Sequence, residues 1–136
     1  MRLKLTSIKK KVLELDSIKS ATIPTQAWEI TIMDTHEPLI SALKPWILRI
    51  VSNNWEDFFA IWWWILETDW ISLNILADMV EDWKWLNLEE IRLKKQEAKN
   101  LLEKYKKENK QMNMDIYIEL EQEFLKESAK ERLALL

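Results

Sequence analysis

Apolar and polar residues alternate with a period of two through the first part of the chain and with a period near 3.6 through the last third. Ile71-Ser72-Leu73-Asn74-Ile75 alternates cleanly and predicts a half-buried strand. Similar short segments are Leu3–Ile8, Val12–Leu15, Ile18–Ile23, Glu29–Met33, Ile47–Ser52, Asp57–Ile61 and Ile65–Glu67. Turn-type residues separate them at intervals of about ten, the spacing of an antiparallel sandwich or barrel.

After Leu86 the texture changes. The last fifty residues hold about half of all the charged side chains of the chain. Asn87, with Glu90 three residues later, resembles a capping box that opens a helix. Leu88, Ile91, Ala98, Leu102 and Tyr105 then form one apolar stripe at helical spacing. The polar stretch Lys104–Gln111 ends that helix in a turn. A second stripe runs through Tyr117, Leu120 and Phe124, with Ile118, Leu125, Ala129 and Leu133 alongside. Two such helices with a short polar link should fold back on each other. The expected fold is therefore α+β: an antiparallel β-sandwich over residues 1–86, then a two-helix antiparallel hairpin over 87–136.

Composition narrows the chemistry. The chain has 136 residues, with 20 Lys+Arg against 23 Asp+Glu and a net charge of −3, which argues against a nucleic-acid partner. It has no cysteine and a single histidine, His36, so disulfides, thiolate zinc and histidine-rich metal sites are excluded. No apolar run approaches the roughly 18–20 residues of a membrane span. The basic start MRLKLTSIKKKVLEL lacks an apolar signal core, which fits a cytoplasmic chain without direct membrane insertion.

Glycine and tryptophan are the anomaly. Average usage of roughly 7% predicts about 9 or 10 glycines, yet there are none, while tryptophan occurs 9 times. Trp46 follows Pro45, Trp55 follows Asn54, and Trp70 and Trp83 follow Asp69 and Asp82. Pro, Asn and Asp precede glycine in tight turns, where positive φ is often required. The pattern indicates UGA codons that mean glycine but were translated as tryptophan, with Trp55 and Trp70 at positions of positive φ. The competing reading is a free-standing Trp-rich β-sandwich that binds carbohydrate or a membrane surface through exposed indoles.

With Trp read as Gly, five segments fall into a known order. These are Pro24 to Ile40, containing Trp28-Glu29 and His36-Glu37-Pro38-Leu39; Ala42-Leu43-Lys44-Pro45-Trp46; Ile61-Trp62-Trp63-Trp64-Ile65-Leu66-Glu67; Ile75-Leu76-Ala77-Asp78; and Leu88-Glu89-Glu90-Ile91-Arg92. Together they resemble the epsilon subunit of F-type ATP synthases over essentially the whole chain. The resemblance implies a non-catalytic rotor subunit of the central stalk, peripheral on the cytoplasmic face of the plasma membrane. Its sandwich would dock on the gamma subunit and the c-subunit ring. Its hairpin would extend toward gamma, and toward the alpha and beta subunits, to oppose ATP hydrolysis.

Site expectations follow from the same resemblance. Glu29 and His36 match positions that contact the ring and gamma. Thr35 stands where Gly or Asn is usual, so that loop is expected to be shaped differently. Glu89, Arg92, Lys99 and Lys126 form a degenerate version of a nucleotide-contacting set, with Leu93 in place of a small alanine. Leu93 should crowd a bound nucleotide, so ATP binding is expected to be weak or absent and no cofactor is required. Independently of any resemblance, the residues offer no phosphate loop ending in Lys-Ser/Thr and no nucleophile elbow, so catalysis by the chain alone is not expected.

Overall fold

The computed structural model describes residues 1–8, 11–82, 84, 86–108, 111 and 113–136; the side chains of residues 11, 12, 63 and 64 also fall outside the description. The elements are β1 (Arg2–Ser7), β2 (Lys11–Leu15), β3 (Ser20–Pro24), β4 (Glu29–Met33), β5 (Leu39–Ala42), β6 (Trp46–Val51), β7 (Glu56–Thr68), β8 (Ser72–Asp82), α1 (Leu88–Glu108) and α2 (Met114–Ala134). Strands hydrogen-bond in the order β2-β1-β8-β7-β6-β3-β4, and β5 pairs with the end of β7 that β6 leaves free. Leu3 and Leu5 of β1 share one buried cluster with Ala21 and Ile23 of β3, although three strands separate them in that order. The ladder therefore folds over on itself and closes a sandwich around its inward-facing residues.

Three features differ from the sequence expectation. Asp57–Ile61 and Ile65–Glu67 belong to one continuous strand, β7, because the tryptophans between them extend the ladder: Trp62 pairs with Met79 and Trp64 with Ala77. Aromatic residues suit a pleated, half-buried surface, which is why they do not interrupt it. The short strand β5 lacks clear alternation and was not foreseen. The sandwich also has one parallel ladder, β1 with β8, whose long crossover is all of β2 to β7.

The tryptophan turns are a further correction. Thr35, with φ 60°, is the one non-glycine residue of positive φ among the described residues, so Trp55 and Trp70 are not left-handed. Both do sit in turns: Ser52 N–H donates to the Trp55 carbonyl at 2.9 Å, and Asp69 N–H to the Ser72 carbonyl at 3.0 Å. At the second turn the Asp69 carboxylate accepts the N–H groups of Ile71 and Ser72 and the Ser72 hydroxyl. Those three bonds hold the turn without a left-handed residue. Trp83, which follows Asp82, and Trp85 lie outside the described residues.

The helices begin where side chains can accept their first N–H groups. Asn87 Oδ1 accepts from Glu89 and Glu90, and Asn113 Oδ1 accepts from Asp115. Ile91, Ala98 and Leu102 bury the inner stripe of α1. The helix α2 packs on β6 and β7, and α1 packs on α2. The seam under α2 joins Ile47, Ala60 and Trp62 to Ala129 and Leu133, with Phe58, Met79 and Leu86 at its border. Trp62 is completely buried there, and its indole N–H has no partner. The ammonium groups of Lys126 and Lys130 lie 5.2 and 5.7 Å from the centre of its ring.

Candidate functional sites

Two regions gather the residues expected to matter: the loops around β4 and the cleft between the helices. Ile30 and Ile32 turn inward on β4, so Glu29, Thr31 and Met33 are left exposed on the outer face. β4 is also an edge of the ladder. Glu29 opens the strand and His36 lies in the loop that follows it. A five-residue strand spans on the order of 17 Å, so the two do not form one cluster. They bracket an edge.

The loop before His36 keeps a definite shape. His36 N–H donates to the Met33 carbonyl at 3.2 Å, closing a turn with Asp34 and Thr35 at its centre. Thr35 is left-handed, the conformation that glycine or asparagine adopts with little strain and a β-branched residue does not. Thr35 therefore holds this turn in a strained conformation. The Asp34 carboxylate pairs with the amino group of Met1 at 2.6 Å, tying the turn to the start of β1. The His36 ring nitrogen Nδ1 lies 2.7 Å from the Glu37 carbonyl oxygen.

Between the helices lies a cleft of about 370 Å³ lined by Arg92, Lys95, Gln96, Lys99, Phe124 and Glu131. That volume falls within the range of small-ligand sites. Of the four residues matched to a nucleotide set, it contains Arg92 and Lys99. Glu89 stands exposed in the first turn of α1, and Lys126 points to the opposite side of α2, over Trp62. Leu93 is 66% exposed and does not line the cleft. In a helix, residue 93 sits about 100° away from residue 92, which explains why it misses a cleft that Arg92 enters.

What sequence reasoning missed is the opposing wall. The Glu131 carboxylate holds Lys95 Nζ at 3.0 Å and Arg92 Nε at 3.6 Å, while Lys95 Nζ lies 5.8 Å from the centre of the Phe124 ring. Spacing carried the signal: 92, 95 and 99 share a helix face, and 124 and 131 share another. On the next face of α1, Lys94 has its pKa raised by a hydrogen bond and the charge of Glu90. A larger groove of about 490 Å³ runs between the α2 end and the linker, lined by Phe58, Leu86, Leu88, Leu133, Ala134, Leu136 and one cation, Lys84. It brings together no acid, base and nucleophile. Among the described residues no group of His, Asp or Glu is placed to hold a metal ion.

Comparison with known proteins gives these regions their context. The family model "ATP synthase, Delta/Epsilon chain, beta-sandwich domain" matches residues 1–82. The ATP synthase epsilon chain of Staphylococcus epidermidis, in each of two strains, is 27% identical over 103 residues, covering 76% of this chain and 77% of that protein. Among solved structures, a chain of the Euglena gracilis mitochondrial ATP synthase assembly of OSCP, F1 and c-ring superposes with a TM-score of 0.80 at 18% identity. The overlap covers 98% of this chain and 80% of that one. A chain of the Tetrahymena thermophila mitochondrial ATP synthase central stalk and c-ring superposes with a TM-score of 0.54 at 19% identity, covering 62% and 68%. The sandwich-then-hairpin fold is thus that of the epsilon chain, and the chain belongs to the ATP synthase delta/epsilon family.

Proposed function

We propose that this chain is the non-catalytic epsilon-type rotor subunit of an F-type ATP synthase, passing rotation between a proton-driven c-ring and the gamma subunit. The observation that carries the reading is the family match across residues 1–82, the whole of the sandwich. Glu29 and His36 bracket the surface offered to the ring and gamma, at the two ends of β4, an edge that no other described strand covers. No described helix is long and apolar enough to cross a membrane. Attachment in this reading is through partner subunits, on the cytoplasmic face that the family resemblance implies. Among the described residues the hairpin packs on the sandwich through α2, against β6 and β7. This suits a segment with two packings of similar free energy, one on the sandwich and one along gamma toward the alpha and beta subunits. Nucleotide binding is weak or absent.

The test is coupling in reconstituted enzyme. Glu29→Lys should reduce ATP-driven proton pumping several-fold while leaving gamma bound. Glu56→Lys should leave pumping near normal, because it loses only an exposed ion pair to Arg49. Equal effects from both would remove Glu29 from the contact surface. The free-standing module is the less favoured reading. The indoles of Trp28, Trp46, Trp55 and Trp70 are exposed, but they stand at the starts and turns of different strands rather than as one platform.

We also infer that the tryptophans are glycines in the native protein. Besides the missing glycines, support comes from β7. Trp62 is fully buried there and its indole N–H has no partner, a local conflict that glycine removes. The mass of the native peptide spanning Ile61–Leu66 decides it: three glycine masses support the inference and three tryptophan masses reject it.

A further inference from the structure

The hairpin carries a further pocket on the other side of its seam from the cationic cleft, and its charge is opposite. Residues 94, 97 and 101 of α1 lie about 200° round the helix from 92, 95 and 99, since each residue turns about 100°. There Glu97, Glu123 and Glu127 line a pocket of about 200 Å³, together with Lys94 and an apolar wall of Ala98, Leu101 and Leu120. Glu127 is its buried member, only 6% exposed. Its Oε1 lies 3.5 Å from Lys130 Nζ, while its Oε2 is buried without a hydrogen-bond partner. A carboxylate oxygen left in that state costs free energy until a donor meets it. Glu97 makes no ion pair among the described residues, and the pair of Glu123 with Lys126, at 3.4 Å, is exposed on the glutamate side. The field of the pocket already favours positive charge. Lys94, 3.2 Å from Glu90, has its pKa raised chiefly by that hydrogen bond and charge, and further by Glu127 and Glu97.

We propose that this pocket binds a short linear aliphatic diamine that bridges the two helices. An ammonium group at Glu127 supplies the donor that Oε2 lacks, with three N–H groups on one cation. Glu123 stands one turn from Glu127 along α2, roughly 5–6 Å away, a span that a four-carbon chain covers. The second ammonium is held there, between Glu123 of α2 and Glu97 of α1, and the methylene chain lies on the apolar wall. A bare metal ion does not fit, because no group of carboxylates among the described residues is placed to hold one. A ligand that touches both helices binds the closed hairpin and not separated helices, so it stabilises the closed form by mass action. The binding chemistry is independent of assembly with gamma.

The full chain is titrated calorimetrically at low salt with putrescine, with n-butylamine and with magnesium chloride, and far-UV circular dichroism follows melting of the helices. Putrescine should bind and raise the helix melting temperature. Butylamine, with one ammonium group, should bind at least tenfold more weakly, and magnesium at equal concentration should not displace putrescine. Glu127→Gln keeps the shape of the side chain, loses its charge, and should weaken putrescine binding at least tenfold. Glu97→Gln, on an exposed face of α1, should weaken it several-fold without disturbing the fold. Glu56→Gln removes one negative charge outside the pocket and should leave binding unchanged, which separates a built pocket from attraction to an acidic chain. Absence of putrescine binding up to millimolar concentration overturns the proposal. So does equal binding of butylamine, displacement by magnesium, or an equal loss in Glu56→Gln and Glu97→Gln. Should Glu127→Gln fail to fold, the comparison of Glu97→Gln with Glu56→Gln decides alone.

Discussion

The sandwich and the hairpin are stabilised by different chemistry. The sandwich buries Leu3, Leu5, Ile23, Ile32, Leu48, Ile50, Ile61, Leu66 and Leu73 in one apolar cluster to which six of its eight strands contribute. The hairpin buries Ile91, Ala98, Leu102, Ala129 and Leu133, and fills the rest of its contacts with ion pairs, including a buried Glu127. An apolar core is non-directional and cooperative, so the sandwich behaves as one body. The seam under α2 is a smaller apolar contact, Ala129 and Leu133 against Ile47, Ala60 and Trp62 with Lys126 and Lys130 at its edge, so opening it costs less than opening the core. The difference separates the scaffold from the appendage packed on it.

The largest effect should come from the seam. Ala129 is fully buried beside Trp62 and Ile47, so Ala129→Glu would place a carboxylate against apolar side chains. An uncompensated buried charge costs about 3–5 kcal/mol. The hairpin should leave the sheet and become sensitive to protease, while the strand signal in circular dichroism persists. Simultaneous loss of strands and helices would mean that the two regions fold as one unit, and the contrast would fail.

A smaller effect is expected in the sandwich and should spare the hairpin. Thr35→Asn relieves a left-handed β-branched residue and should raise sandwich stability by about 1 kcal/mol. Trp55→Gly and Trp70→Gly should gain nothing at the backbone, since neither position has positive φ. Urea unfolding followed by strand and helix signals separately would reveal a gain in the wrong region or at the wrong residue.

The smallest expected effect is electrostatic. The Asp69 carboxyl is held below its ordinary pKa, first by the Ile71 N–H, then by the Ser72 N–H and hydroxyl. Its stabilising contribution is present above the unfolded carboxylate pKa and disappears as pH falls through the lowered folded value. Amide exchange at Ile71 and Ser72 should therefore quicken in acid beyond the intrinsic pH trend, with no matching change at the helix ends. Unchanged protection of these two amides under acid would contradict the assignment.

Much of the contrast was legible in the sequence, because it is a contrast of periodicities. Alternation located β1, β2, β3, β4 and β6, and the stripe through Ile91, Ala98 and Leu102 located α1. The short β5 escaped because Leu39–Ala42 is fixed by pairing with β7 rather than by its own pattern. The break expected at Trp62–Trp64 failed because it was read through glycine, whereas indoles pair comfortably in a ladder. In the cleft, the family resemblance gave Arg92 and Lys99 but not Glu131. That residue is almost 40 positions from Arg92 and reaches it only because the helices are antiparallel.

The central claim is that the sandwich carries assembly and the hairpin is an adjustable appendage. Truncation after Leu86 tests it directly, with copurification of the gamma subunit as the measurement. The truncated chain should retain gamma as fully as the complete chain and support coupled ATP synthesis. Loss of gamma from the truncated chain, with its strands intact by circular dichroism, would make the hairpin a primary anchor and contradict the account.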